Sequence, residues 1–238
     1  MLAQDCGKFL PIARQCIGRP LAFQRAAPAE IFWPSRRKLK KVNDFMAIAP
    51  TNETDNINAQ ATIDRPIVLV GLMGAGKSCV GRKLAESFGL PFCDSDNEVE
   101  DAAGCEVRDI FEVYGEPAFR DCERRVIQRL LQNGPSIIAT GGGAFMDAET
   151  RDEVKARGIS LWLRADPEIL YQRTKRSKNR PLLNNEDPLT TLKELAEKRY
   201  PVYAEADIII DTGNEGLEKT LQVAIKAILE RFETDTKT

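Results

Sequence analysis

The segment Gly71-Leu72-Met73-Gly74-Ala75-Gly76-Lys77-Ser78 constrains this chain more than any other. It fits G-x-x-x-x-G-K-[ST], a pattern in which glycines let backbone N–H groups turn inward around phosphates. Its context fits as well. Ile67–Val70 is a short β-branched run suited to a buried strand. Lys77 to Phe88 carries apolar residues at helical spacing (Val80, Leu84, Phe88) and stops at Gly89. A strand, a glycine-rich turn and a helix N-terminus in that order gather N–H groups and a positive dipole end at one point. Gly74, Ala75, Gly76, Lys77, Ser78 and Cys79 are therefore expected to bind the phosphates of ATP or GTP. Lys77 is expected to reach the β- and γ-phosphates, and the Ser78 hydroxyl to ligate Mg²⁺.

The alternation of strand and helix continues to the C-terminus. A second strand is expected at 90–94, with helices at about 96–102, 106–113 and 117–132 punctuated by Gly104, Gly115 and Gly134. A third strand at 136–140 ends in Gly141-Gly142-Gly143. Then come a helix at about 148–157, a strand at 160–164 and a helix from Pro167, a good first-turn residue. Residues 175–187 break the pattern, being basic and then proline-containing. A helix at about 188–203, a strand at 207–210 and a helix at about 215–232 complete it. Strands alternating with helices imply a parallel sheet covered on both faces, hence a three-layer α/β/α sandwich over residues 65–238.

Residues 1–64 show no such period. They hold Pro11, Pro20, Pro28, Pro34 and Pro50 and the polar stretch 51–60, so they are expected to be a disordered or dispensable extension. Residues 1–45 carry nine Lys/Arg against three acids, a net of +6 in a chain of net −2, which leaves the remainder at −8. That acidic body argues against nucleic acid as partner, since phosphate backbones require a basic face. The Arg-rich, acid-poor start is compatible with a targeting peptide, but it contains a single serine and no clean amphipathic helix. Met46 is the simpler candidate for the physiological start. A chain beginning there is expected to fold and to keep full activity, and loss of either would overturn that reading.

The chain has no histidine, so imidazole acid–base chemistry is excluded and catalysis must use carboxylates, Lys, Arg, backbone dipoles and a metal. Its six cysteines form no C-x-x-C pair and are expected to be reduced thiols in a cytoplasmic protein. No apolar run approaches the roughly 18 residues of a membrane span. A monomer is expected.

A glycine-rich phosphate loop alone leaves the acceptor open. Further motifs narrow it: Asp94-Ser95-Asp96 after the second strand, Gly115-Glu116-Pro117-Ala118-Phe119-Arg120-Asp121-Cys122-Glu123 opening a helix, and Gly141-Gly142-Gly143. Arg180-Pro181-Leu182-Leu183 follows in the irregular stretch, and Lys198-Arg199-Tyr200-Pro201-Val202-Tyr203 ends the next helix. In this order and spacing they resemble the shikimate kinase family over roughly 66–232. The resemblance implies a P-loop kinase of nucleoside monophosphate kinase-like architecture, with a lid at about 175–187, acting on shikimate in aromatic amino-acid biosynthesis. It assigns Asp94 to the Mg²⁺ shell through water. Asp96 would bind shikimate hydroxyls and orient or deprotonate the attacking one.

By the same resemblance Arg120 and Arg199 take the substrate carboxylate, Gly141, Gly142 and Gly143 line the substrate, Arg180 closes over the phosphates, and Arg173 contacts adenine. Lys77, Asp96 and Arg180 are thus the expected catalytic residues. Glu123, one turn after Arg120, is placed to hold that guanidinium. Asp94 and Asp96 face the same way only if the chain stays extended between them. The competing readings are a kinase for another small metabolite such as gluconate, and a non-catalytic nucleotide-binding module. The first need not carry the arginine pair and the glycine triplet, and the second usually lacks Lys, Asp or Arg at the site.

Overall fold

In the computed structural model, the described residues are 63–175 and 187–236, so expectations for the N-terminal extension, Met46, Arg180 and most of the lid lie outside them. The chain runs β1 (Ile67–Val70), α1 (Lys77–Phe88), β2 (Phe92–Asp94), α2 (Ser95–Ala103), α3 (Val107–Gln132) and β3 (Ile137–Ala139). A single 3-10 turn (Ala144–Met146), α4 (Ala148–Arg157), β4 (Ile159–Arg164), α5 (Pro167–Thr174), α6 (Pro188–Tyr203), β5 (Ile208–Asp211) and α7 (Leu217–Thr236) follow. All strand pairs are parallel, in the order β2-β3-β1-β4-β5. The result is the expected three-layer α/β/α sandwich.

Burial explains why these runs become strands. All four residues of β1 are at most 1% exposed, because helices cover both faces of the sheet. Leu69, Ile137, Ile138, Leu161 and Leu163 are equally dry, distributed over the two covered faces. Each such side chain contributes roughly 1.5–3 kcal/mol on burial. Parallel pairing also forces every connection to cross over, so the carboxyl ends of all strands lie along one edge. The chain leaves β1 for the β2 side and later returns across it to β4. Such a switch point opens a crevice beyond the strand ends. The turns after β1, β2 and β3 meet there.

The expected helices at 106–113 and 117–132 form one element broken at Gly115, whose φ of 80° and ψ of 170° no helix accommodates. Pro117 then sits in the first turn of the second half, where its missing N–H costs nothing. This break aims Arg120 and Glu123 at the crevice independently of the first half.

The run from Asp94 to Asp96 departs from the extended option. Asp94 (φ −111°, ψ 119°) ends β2 and caps α2, its Oδ1 accepting from the Asp96 N–H at 3.2 Å. Asp96 is already helical, so the two carboxylates diverge. Helix formation prevails because the Asp94 side chain satisfies an N–H that would otherwise be orphaned.

Candidate active site

The phosphate loop is built from glycines in conformations other residues avoid. Gly74 and Gly76 have φ of 83° and 96°. Gly76 precedes α1 without a capping side chain, and the first turn of α1 holds no acid, so its N–H groups and dipole face the loop. A Cβ on Gly71 would stand 2.7 Å from the Leu163 carbonyl oxygen. Lys77 extends along the loop, its Nζ donating to the Gly71 oxygen at 2.7 Å and the Leu72 oxygen at 3.0 Å. Ala75 is buried, whereas Cys79 lies exposed just beyond.

The turn after β2 brings a second donor set. Ser78 Oγ donates to Asp94 Oδ2 at 2.8 Å, joining the start of α1 to the end of β2. A hydroxyl and a carboxylate oxygen side by side, next to a phosphate cradle, suit Mg²⁺. That ion takes oxygen ligands, keeps several waters and uses only one or two protein groups besides phosphate. Among the described residues no cluster of three His, Cys, Asp or Glu could hold a metal by itself.

The third turn is the glycine triplet, and the cost of adding a Cβ at each position shows what crowds it. At Gly141 a Cβ would lie 2.6 Å from Glu123 Oε1 and 2.7 Å from Asp96 Oδ1. At Gly142 it would lie 3.4 Å from Arg199 Nη1 and 3.6 Å from the Gly71 oxygen. At Gly143 it would lie 2.5 Å from Arg120 Nη2. Two carboxylates and two guanidinium groups from α2, α3 and α6 therefore converge on the triplet, which itself abuts the phosphate loop.

Specific bonds hold this arrangement. Arg120 Nη1 donates to Glu123 Oε2 at 2.6 Å, while its Nε and Nη2 donate to Glu116 Oε1 at 3.3 and 3.2 Å. Arg199 Nη1 donates to the Gly142 oxygen at 2.8 Å, and the Tyr203 hydroxyl donates to the same oxygen. The Gly141 N–H donates to Ser95 Oγ at 3.0 Å. Glu123 is almost fully buried, with a side chain 3% exposed, and among the described residues its Oε1 has no hydrogen-bond partner. Burial raises its pKa against the opposing pull of Arg120. The Asp96 pKa is also raised, chiefly by desolvation and then by Asp94, with Lys77 opposing. Water reaches the Asp96 side chain from the open cleft, so these walls desolvate its carboxyl only in part.

Arg173 lies at the opposite end of the phosphate loop. Its Nη1 donates to Thr212 Oγ1 at 3.3 Å and reaches the Gly74 oxygen at 3.5 Å, and its Nη2 donates to the Gly213 oxygen at 2.6 Å. It thus bridges the phosphate loop and the turn after β5. Asp96, Arg120 and Arg199 meet at the triplet beside the phosphate loop, Arg173 reaches the loop from its far end, and Asp94 is turned toward Ser78 rather than toward the triplet.

Ser95 and Tyr203 enter the sequence only as members of motifs with no role of their own, and the Thr212–Gly213 turn carries no sequence expectation. A serine between two aspartates or a tyrosine ending a helix carries no local signal of the distant backbone group it binds.

The family model described as shikimate kinase matches residues 73–230. A shikimate kinase of Caulobacter vibrioides is 56% identical over 165 residues, covering 69% of this chain and 80% of that protein. One from Brucella canis is 46% identical over 191 residues, covering 78% and 96%. Among solved structures, shikimate kinase from Acinetobacter baumannii in complex with shikimate superposes with a TM-score of 0.67 at 42% identity, covering 70% of this chain and 94% of that one. With the phosphate loop, the acidic turn and the triplet gathered at one crevice, this chain belongs to the shikimate kinase family.

Proposed function

We propose that this chain transfers the γ-phosphoryl group of ATP to the 3-hydroxyl of shikimate, giving shikimate 3-phosphate and ADP in aromatic amino-acid biosynthesis. The observation that carries the reading is the convergence of Asp96, Arg120 and Arg199 on Gly141–Gly143, directly beside the phosphate loop. Two guanidinium groups beside unhindered glycine backbone are a receptor for a carboxylate. A carboxylate next to them accepts from hydroxyl groups. Shikimate offers both chemistries on one small ring.

In this reading the phosphates of ATP lie in the glycine loop, and the ammonium of Lys77 moves from the Gly71 and Leu72 carbonyl oxygens to the β- and γ-oxygens. Arg173, bridging the loop and the turn after β5, borders the adenine end. Arg120 and Arg199 hold the substrate carboxylate and fix the ring, while Asp96 orients the attacking hydroxyl toward the γ-phosphorus. The partly desolvated carboxyl of Asp96 binds its proton more tightly than a free aspartate, which favours accepting one from that hydroxyl. Ser78 would ligate Mg²⁺ directly and Asp94 through water, and the ion when bound neutralises phosphate charge. By the family resemblance Arg180, which lies outside the described residues, would stabilise the equatorial charge. No covalent enzyme intermediate is required.

ADP release from ATP·Mg²⁺ tests the proposal, measured with shikimate, with gluconate and with no acceptor. Strong stimulation by shikimate alone is the expected result. Stimulation by gluconate instead, or by neither, would remove the acceptor assignment while leaving the fold intact.

A further inference from the structure

Room for substrate makes the triplet soft. Three consecutive glycines lack the side chains that restrict backbone rotation, so the peptide between Gly142 and Gly143 can turn at little cost. A receptor for an anion needs that peptide fixed, because loosely held donors lose affinity to ordering.

The structure supplies a lock from α6. The Gly142 oxygen accepts from both Arg199 Nη1 and the Tyr203 hydroxyl. A trans peptide points its N–H opposite to its C=O, and none of the described peptides is cis. With the carbonyl held against α6, the N–H of Gly143 turns off that helix, and among the described residues it has no acceptor. Two donors on one carbonyl also polarise the peptide and make its N–H a stronger donor.

Tyr203 is built to hold still. It is fully buried, and its ring lies edge-on to Trp162 with centroids 5.8 Å apart and tilted against Phe145 at 6.4 Å. Burial also raises the pKa of its phenol, against the pull of Arg199, so the hydroxyl keeps the proton it donates. Tyr200, three residues earlier, donates instead to the Ala165 oxygen, away from the triplet.

We infer that Tyr203 is a positioning residue for shikimate. Its hydroxyl locks the Gly142–Gly143 peptide so that the Gly143 N–H, together with Arg120 and Arg199, receives the substrate carboxylate. The inference rests on the shikimate reading above and deepens it.

The test is Tyr203→Phe in the full chain, with Tyr200→Phe as control. Phenylalanine keeps the ring packing, and the Gly142 oxygen retains Arg199, so no buried acceptor is orphaned and the fold should persist. The expected result is a KM for shikimate raised about 3- to 10-fold, the value of one hydrogen bond, with kcat and the KM for ATP within about twofold of wild type. Tyr200→Phe should leave all three unchanged. In protein labelled with ¹⁵N-glycine, shikimate should shift the Gly143 amide strongly in wild type and weakly in Tyr203→Phe. An unchanged shikimate KM in Tyr203→Phe would overturn the inference, as would equal losses in both variants or a parallel rise in the KM for ATP. Wild-type turnover separates the two claims: if shikimate does not stimulate wild type, the substrate reading fails and this lock falls with it.

Discussion

Lys77→Ala is expected to leave the domain folded and to lower kcat by roughly 10²- to 10³-fold, the typical cost of deleting one preorganised group that meets transition-state charge. Lys77 is the first residue of α1, where a positive charge opposes the helix dipole and where alanine is a better helix former. Its Nζ donates to the Gly71 and Leu72 oxygens, in a half-buried position that water can reach. A lysine kept at that local cost fits a charge that is used on the nucleotide phosphates. The measurement is steady-state turnover beside a thermal melt. A melting temperature within a few degrees of wild type and a collapsed kcat would support the role. Near wild-type turnover would remove Lys77 from the mechanism.

The fold was legible where local signals and tertiary needs agree. Helices α4 and α6 begin at Asp147 and Asp187, whose side chains accept from the N–H groups of Thr150 and Thr190, so their bounds follow from chemistry within four residues. Strand β2 is shorter than the expected 90–94 because the Leu90 N–H is taken by the Ala85 oxygen in the left-handed cap at Gly89. Helix α7 outruns its expected end at 232, where a local Arg231–Asp235 pair is joined by a long-range one. Asp235 near its end pairs with Arg65 at 3.1 Å, and Arg65 also lies over the Phe232 ring at 5.5 Å. Nothing near residue 235 in sequence announces an arginine before β1.

The site divides the same way. The phosphate loop needs specific backbone angles at fixed spacing, so it is written in the sequence. The acceptor cleft is assembled from α2, α3, α6 and the triplet, and only a resemblance over several motifs pointed to it. Sequence could not show that Asp94 caps a helix while Asp96 turns toward Gly141, nor that two side chains share the Gly142 oxygen.

Gly143→Ala separates binding from stability most sharply. Gly143 has φ −100° and ψ −16°, angles alanine adopts freely, so the backbone is not strained. The three atoms nearest the added methyl would all belong to Arg120, with Nη2 at 2.5 Å and Nη1 at 2.6 Å. Those atoms end a partly exposed side chain that can swing aside, at the cost of loosening its bond to buried Glu123, whose raised pKa lets it take up a proton instead. The guanidinium then leaves the place where it would meet the substrate carboxylate. Loss of that charge-assisted contact should raise the KM for shikimate roughly 10- to 100-fold, with the KM for ATP nearly unchanged and the melting temperature lowered only by the loosened Arg120–Glu123 pair. Gly81→Ala is the mirror case. There a Cβ would meet Phe92 Cε2 at 2.6 Å and Leu69 Cδ1 at 2.9 Å inside the packed core. Overpacking costs about 1–3 kcal/mol, more than the helix propensity alanine gains, so the melt should fall while each folded molecule keeps its kinetics. If Gly143→Ala instead lost stability and retained its shikimate KM, Arg120 would be a packing residue, and the carboxylate would have to be held by Arg199 alone.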